Sequence, residues 1–283
     1  MAGLLVGIPL SAQGAVEQGD WFLALIREQS YSQAGKLLAE RGALSGKELR
    51  FLWNLDPPAF EAIYQSFLKA SVSSKKTGVG RLRTLLRGVH LKAEQDLFAS
   101  LQTLSPLLEY RPWMVSLTGI LGSMAIQLSR RGNPAGLPIL RKIATIWKGR
   151  AFASANLALA LRLIGKYTEA DHFYRKAAKE SGRAAWVLNN WGLCRDAMKD
   201  LDGALALFLE GARGEDGRKK ETNPGDLATC QTNAALLLAK RGFAGDRVRA
   251  IDLLRRATTL APDRIRPRYY LHIFLLESSG RRQ

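Results

Sequence analysis

The sequence predicts an all-α chain: an α-solenoid of helix-turn-helix repeats with an additional N-terminal helical region. Three observations carry this prediction. Apolar residues recur at spacings of three and four nearly everywhere, and no sustained two-residue alternation bounded by hairpin signals occurs. From Ala151 onward a 34-residue period sets in. Small residues return at matching places in each copy, where two helices of one unit would have to cross.

Met1 to Leu10 are mostly apolar and are followed by Ser11, Ala12 and Gly14, but no Lys or Arg precedes Arg27. A secretory signal needs a positive start, so a packed or frayed terminus and a cytoplasmic location are the expectation. Trp21, Leu23, Leu25 and Ile26 lead into Tyr31 to Glu40 as two short helices, and Trp21 through Leu38 leaves room for a degenerate repeat. Asp56-Pro57-Pro58 starts a helix, since proline is tolerated in a first turn. Phe60, Ile63, Tyr64 and Phe67 then share one face. Residues 1–72 are therefore assigned to the N-terminal helical region. Residues 73–80, small and carrying Lys75 and Lys76, are assigned to a linker, and 81–117 to a helical connection. The uncharged run Trp113 to Ser129 contains Ser, Thr, Gly and Gln and falls short of the ~20 apolar residues of a membrane span, which predicts a buried helix.

The repeat is clearest over 151–263. Ala151 to Ala184 contains Leu157, Ala158 and Leu161, then Gly165-Lys-Tyr-Thr-Glu-Ala170, then Tyr174 and Ala177. The copy from Ala185 has Trp191-Gly192, Ala204, Phe208 and Gly211, and the copy from Ala228 has Ala234, Ala235, Leu238, Ala250, Leu254, Ala257 and Pro262. The third copy carries three extra residues in its turn, around Gly242 to Asp246. Ala158, Gly192 and Ala235 on the first helices and Ala170, Ala204 and Ala250 on the second are the crossing positions. One hairpin cannot bury its apolar face alone, so the copies must stack.

These residues resemble the tetratricopeptide repeat family, whose pattern is a large residue, Leu-Gly and Tyr on the first helix, then Ala, an aromatic and Ala on the second, with a closing Pro. The chain departs from it at Ala158, in the Gly place, and at Arg195, in the Tyr place. A weaker copy precedes these over 118–150. Its Arg141-Lys142 stands 34 residues before Arg175-Lys176, Gly136, Leu140 and Ile143 match the second helix, and Met124, Ala125 and Leu128 match the first after a one-residue shift. Residues 264–283, with an apolar helix opened by Pro267, are expected to form a capping helix and tail.

The resemblance implies a concave groove lined by the first helices. Position six of the clear copies is Asn156, Asn190 and Asn233. An asparagine amide offers one acceptor and two donors, matching the main chain of an extended peptide whatever its sequence. The resemblance implies such a ladder, although asparagine is also simply common at this position in the family. Phe152 and Trp186 fall at position two, Asn189 at position five, and Arg162 and Asp196 at position twelve. Trp186 is either an anchor for a partner side chain or packing against the preceding repeat. The lysines by which some family members grip acidic C-termini are replaced here by Ala155 and Leu159. The stretch Gly214 to Gly225 makes the second-to-third connection nine residues longer than the period, and either a functional loop or a tolerated insertion fits it.

The net charge of +17 is the abnormal quantity, and it is uneven. Residues 1–70 sum to −1, 71–150 to +10 and 151–283 to +8. Such an excess suggests an acidic partner. The candidate basic patch is Arg218, Lys219 and Lys220 with Arg264, Arg266 and Arg268, and the only aromatic interleaving is Tyr269 and Tyr270. No phosphate loop, HExxH, GxSxG or CxxC motif occurs, and His90, His172 and His272 lie in separate predicted helices without evident carboxylate partners. Cys194 and Cys230 fall at packed positions. The expectation is a non-enzymatic scaffold, adaptor or assembly factor, without metal, cofactor or small-molecule substrate. It binds an acidic or extended segment of another protein. RNA or DNA binding through the basic stripe and peripheral contact with an anionic membrane are the alternatives.

Overall fold

The computed structural model describes residues 21–72, 74, 76–93, 95–213 and 223–280. Among the described residues there are fifteen α-helices and no strands. The chain divides into two compact units, Met1–Leu128 and Ser129–Gln283. The apolar N-terminal stretch expected to be a packed or frayed terminus lies outside the described residues, as do Lys75 of the predicted linker, most of the stretch from Gly214 to Gly225, and Arg218, Lys219 and Lys220.

The first unit holds α1 (Trp21–Arg27), α2 (Tyr31–Arg41), α3 (Gly46–Trp53), α4 (Pro57–Ser71), α5 (Thr77–Ala93), α6 (Leu97–Leu104) and most of α7 (Arg111–Arg130). Two of its helix starts follow directly from sequence. Ser45 and Glu48 form a reciprocal capping box at α3. The Asp56 carboxylate accepts the Ala59 N–H at 2.9 Å, with Pro57 in the first turn of α4. The most extensive packing is between α2 and α4, with α3 intervening in the chain, so this pair is not a simple repeat hairpin. Ala34 and Leu38 of α2 and Phe60, Ile63 and Phe67 of α4 are buried.

The predicted linker is a helix from Thr77 onward. Its small residues serve close approach: a methyl group added at Gly78 would stand 2.0 Å from the Gly42 carbonyl oxygen. Lys76 Nζ donates to the Glu40 carbonyl. The uncharged run after Arg111 is α7. Its Trp113 indole N–H donates to the buried Leu44 carbonyl at 2.6 Å, and Leu117, Leu121, Met124 and Ala125 are buried. No described helix is long and apolar enough to cross a membrane. His90 does meet a carboxylate: its Nδ1 lies 3.0 Å from Glu61 Oε2, and its ring tilts on Tyr64 at 4.9 Å. Sequence spacing hides this pairing because α4 and α5 bring it together.

The second unit holds α8 (Leu137–Ile146), preceded by a 3-10 turn, and three consecutive hairpins. These are α9 (Ala151–Leu163) with α10 (Tyr167–Ser181), α11 (Ala185–Ala197) with α12 (Leu201–Arg213), and α13 (Pro224–Arg241) with α14 (Asp246–Leu260), followed by α15 (Ile265–Gly280). Each hairpin packs tightly within itself, and each second helix then packs against the next first helix. These are the helix-turn-helix units that the 34-residue step predicts. All six predicted crossing positions carry small residues: five fully buried alanines and the buried Gly192, where an added methyl would stand 2.5–2.9 Å from Phe208 ring atoms. Tyr174, Phe208 and Leu254 occupy the same place in successive second helices, and all are buried. Leu140 and Ile143 of α8 are buried and α8 packs on α9, as the second helix of the weaker copy should. That copy's first-helix residues, Met124, Ala125 and Leu128, belong to the other unit.

Candidate protein-interaction surface

Arg195, the departure from the family's Tyr, has a structural reason. Asp171 of α10 is buried, and its carboxylate accepts from Trp191 Nε1 at 2.6 Å, from Arg195 Nε at 2.6 Å and Nη2 at 3.0 Å, and from Arg175 at 3.1 Å. Arg195 also reaches forward to Asp200 at 2.8 Å. One guanidinium thus fastens the first hairpin to the second and to the second's own turn. Its hydrogen bond, with the Gly203 N–H, holds the Asp200 carboxyl below its ordinary range, and the Asp200 bond in turn raises Arg195. In the third hairpin the longer turn is held the same way. Arg241 donates through two nitrogens to Asp246, each at 2.8 Å, and the Phe243 N–H joins them. Arg241 lowers the Asp246 carboxyl.

The first helices α9, α11 and α13 present the candidate face on this scaffold. Phe152 is partly exposed and its ring tilts on Trp147 at 5.8 Å. Asn156 is half-buried with no side-chain hydrogen bond. Asn190 is half-buried, and its amide donates to the Trp186 carbonyl at 2.8 Å, leaving its oxygen as an acceptor. Trp186 is half-buried rather than exposed. Asn233 departs most from an equivalent ladder. It is 5% exposed, and its amide donates to Asn189 Oδ1 at 2.7 Å, bridging α11 and α13. Arg162 is half-buried, its Nε making no hydrogen bond, beside Tyr174, whose phenol burial pushes up to about 12.

Several residues of this face went unassigned by sequence reasoning. Leu159, Leu193 and Leu236, at position nine of each copy, are half-buried. Lys240 pairs with Asp196 at 2.7 Å, a second bridge between α11 and α13. The signal for the leucines was their identity at one register position; nothing in sequence pairs Lys240 with Asp196, which stand 44 residues apart.

The basic patch is less uniform than its composition. Arg264 donates to Thr229 at 3.0 Å, and Arg266 lies over the Tyr270 ring at 5.8 Å. Arg268 is exposed and makes neither hydrogen bond nor ion pair. Both thiols are buried as expected. Burial pushes Cys194 up to about 11 and Cys230 up to about 12, and they lie against the Tyr167 and Ala185 carbonyls. Among the described residues no three His, Cys, Asp or Glu side chains gather where a metal ion would be held.

No family model matches the chain, and no curated protein does. Among solved structures, the chain is similar to a thermophilic tetratricopeptide repeat protein of Thermus thermophilus, at 19% identity and a TM-score of 0.48 over 69% of this chain and 98% of that one. A tetratricopeptide repeat protein of Parabacteroides merdae gives 14% and 0.45 over 90% and 96%. BtubC of P. vanneervenii gives 20% and 0.46 over 82% and 91%. The repeat character itself rests on this chain's own 34-residue step and on the packing of its three hairpins.

Proposed function

We propose that the chain is a non-enzymatic protein-interaction scaffold whose second unit holds an extended segment of another protein across α9 and α11. One observation carries the reading. Phe152, Asn156, Leu159, Asn190 and Leu193 stand on successive first helices, half-buried or partly exposed, with an unengaged amide at Asn156 and an open acceptor at Asn190. Such a face offers apolar contact and main-chain hydrogen bonding together, as peptide capture requires. Asn189 and Asn233 support it from beneath by bonding each other. The raised thiols are poor nucleophiles, since the thiolate is the reactive form, which favours binding over catalysis.

The test begins by capturing partners from the native cell with the wild-type chain. The captured partner is then titrated against a chain carrying Asn156→Ala and Asn190→Ala. Two lost hydrogen bonds at roughly 0.5–1.5 kcal/mol each should weaken binding by about tenfold or more, with helicity unchanged. Unchanged affinity removes this face from the reading.

A second reading, RNA or DNA binding, is favoured by the exposed cations Lys179, Arg255 and Arg268, whose charged side chains make no hydrogen bond or ion pair. A salt titration decides it, because phosphate binding weakens steeply with ionic strength. Absence of a complex at low salt eliminates it.

A further inference from the structure

The last described helix, α15, exposes a mixed face in which Ile265, Tyr269, Leu275 and Leu276 stand among Arg266, Arg268, His272 and Glu277. It packs on α14 and, to a smaller extent, on α13, the placement that α11 has against α10 and α9. Tyr270, Leu271, Ile273 and Phe274 join the core there. On its other side Ile265 is 76% exposed, Tyr269 59%, Leu276 57% and Leu275 40%. Arg268 and His272 are exposed among them.

The register explains what this row is. The third copy begins at Ala228 and is three residues longer than the period, so Ile265 stands at position one of a following copy. Ile265, Arg268, His272 and Leu275 are then positions one, four, eight and eleven. In the first hairpin these are Ala151, Ser154, Ala158 and Leu161, the last three of which are buried, and in the third they are Ala228, Gln231, Ala235 and Leu238, all buried. Positions eight are the very places where first and second helices cross. In the second hairpin the same positions are Ala185, Leu188 and Gly192, all buried, and the half-buried Arg195, so the exposed row of α15 is the row that the second helix largely covers in the hairpins before it.

We infer that α15 is a docking site for an amphipathic helix of another protein, laid where a hairpin's second helix lies and carrying acidic residues beside its apolar stripe. The charge identifies the occupant. Arg268 has no ion pair, His272 stands one turn on, and the helix's single acidic residue, Glu277, is turned to Arg247 at 2.5 Å. A purely apolar helix would bury Arg268 unpaired, which is costly. A second copy of the chain would set these basic side chains against one another, at a cost in affinity. An acidic flank satisfies both.

The experiment uses the full chain and two fluorescent synthetic helices of sixteen residues, each with a leucine stripe, one flanked by glutamates and one by lysines. Fluorescence anisotropy should show binding of the glutamate-flanked helix. Ile265→Ser with Leu275→Ser should weaken it at least tenfold, and Arg268→Glu should weaken it while admitting the lysine-flanked helix. All three positions are exposed, so circular dichroism should be unchanged. Asn156→Ala with Asn190→Ala should leave this binding intact, which separates it from the groove reading. No binding, equal binding of both helices, or indifference to the variants overturns the proposal. So does a dimer in light scattering that Leu275→Ser dissolves, which makes a second copy the occupant. Flotation with phosphatidylserine vesicles lost on Tyr269→Ser overturns it in favour of a lipid surface.

Discussion

Two backbone positions 34 residues apart show how far a single residue can depart from its repeat. Gly165 and Lys199 occupy the same place in successive turns, with φ of +81° and +65°. A residue with a Cβ is strained in the left-handed region by roughly 1–2 kcal/mol, part of which glycine returns through its looser unfolded state. Lys199→Gly should therefore stabilise the second unit by about 0.5–1 kcal/mol, measured by chemical denaturation. Gly192→Ala should act in the opposite sense. The added methyl meets the Phe208 ring, and overpacking of this kind costs about 1–3 kcal/mol. The need for a small residue at 192 was legible in sequence from the recurrence of Ala158 and Ala235. The strain at Lys199 was not, because lysine at a turn is ordinary until its φ is known.

At the scale of elements, carboxylates clasp the turns and the inter-hairpin joint. Asp171 and Arg195 tie α10 to α11, and each keeps another partner when the other is removed, so each single change should cost about 1–3 kcal/mol. A double-mutant cycle with Asp171→Asn and Arg195→Tyr should return a coupling of about 1–3 kcal/mol, and additivity would show that the pair is inert. Asp200 and Asp246 have depressed carboxyl pKa values, each through an arginine in its turn. A depressed folded-state pKa contributes stability that is present above the ordinary value of 3.8 and is lost as the pH falls through the folded value. Thermal melts should fall in midpoint as the pH drops below about 4, and Asp200→Asn with Asp246→Asn should flatten that dependence. Sequence marked Arg195 only as a departure from the family pattern, since its acceptor lies 24 residues away on another helix.

At the scale of the molecule, the three hairpins form a nearest-neighbour array, so damage to one should be felt in the next. Tyr174→Ala removes a fully buried ring from α10 and should cost about 3–5 kcal/mol. Hydrogen exchange should quicken in α9 through α12 and least in α14. The charge also reads differently at this scale. Glu169, Asp171, Glu180, Asp196, Asp200, Asp202, Glu210, Asp246, Asp252 and Glu277 all sit in ion pairs within the second unit. These ten acidic groups are engaged internally, while Asp226 and Asp263 make no ion pair among the described residues, so most of the charge left for a partner there is cationic.

The sequence by itself determined the helical class, the step of the repeat, the crossing residues and the capped start at Asp56. These depend on spacing along one chain, which the periods of a helix and of a repeat read directly. Only the tertiary structure decided that Thr77 to Gly80 are helix with Gly78 and Val79 packed on Gly42, that Asn233 is buried against Asn189, that Trp186 is half-covered, and that α15 keeps Ile265 and Leu275 uncovered beside Arg268 and His272. Each of these depends on what lies against a residue from elsewhere in the fold, and burial, unlike periodicity, is a property of the neighbour as much as of the residue.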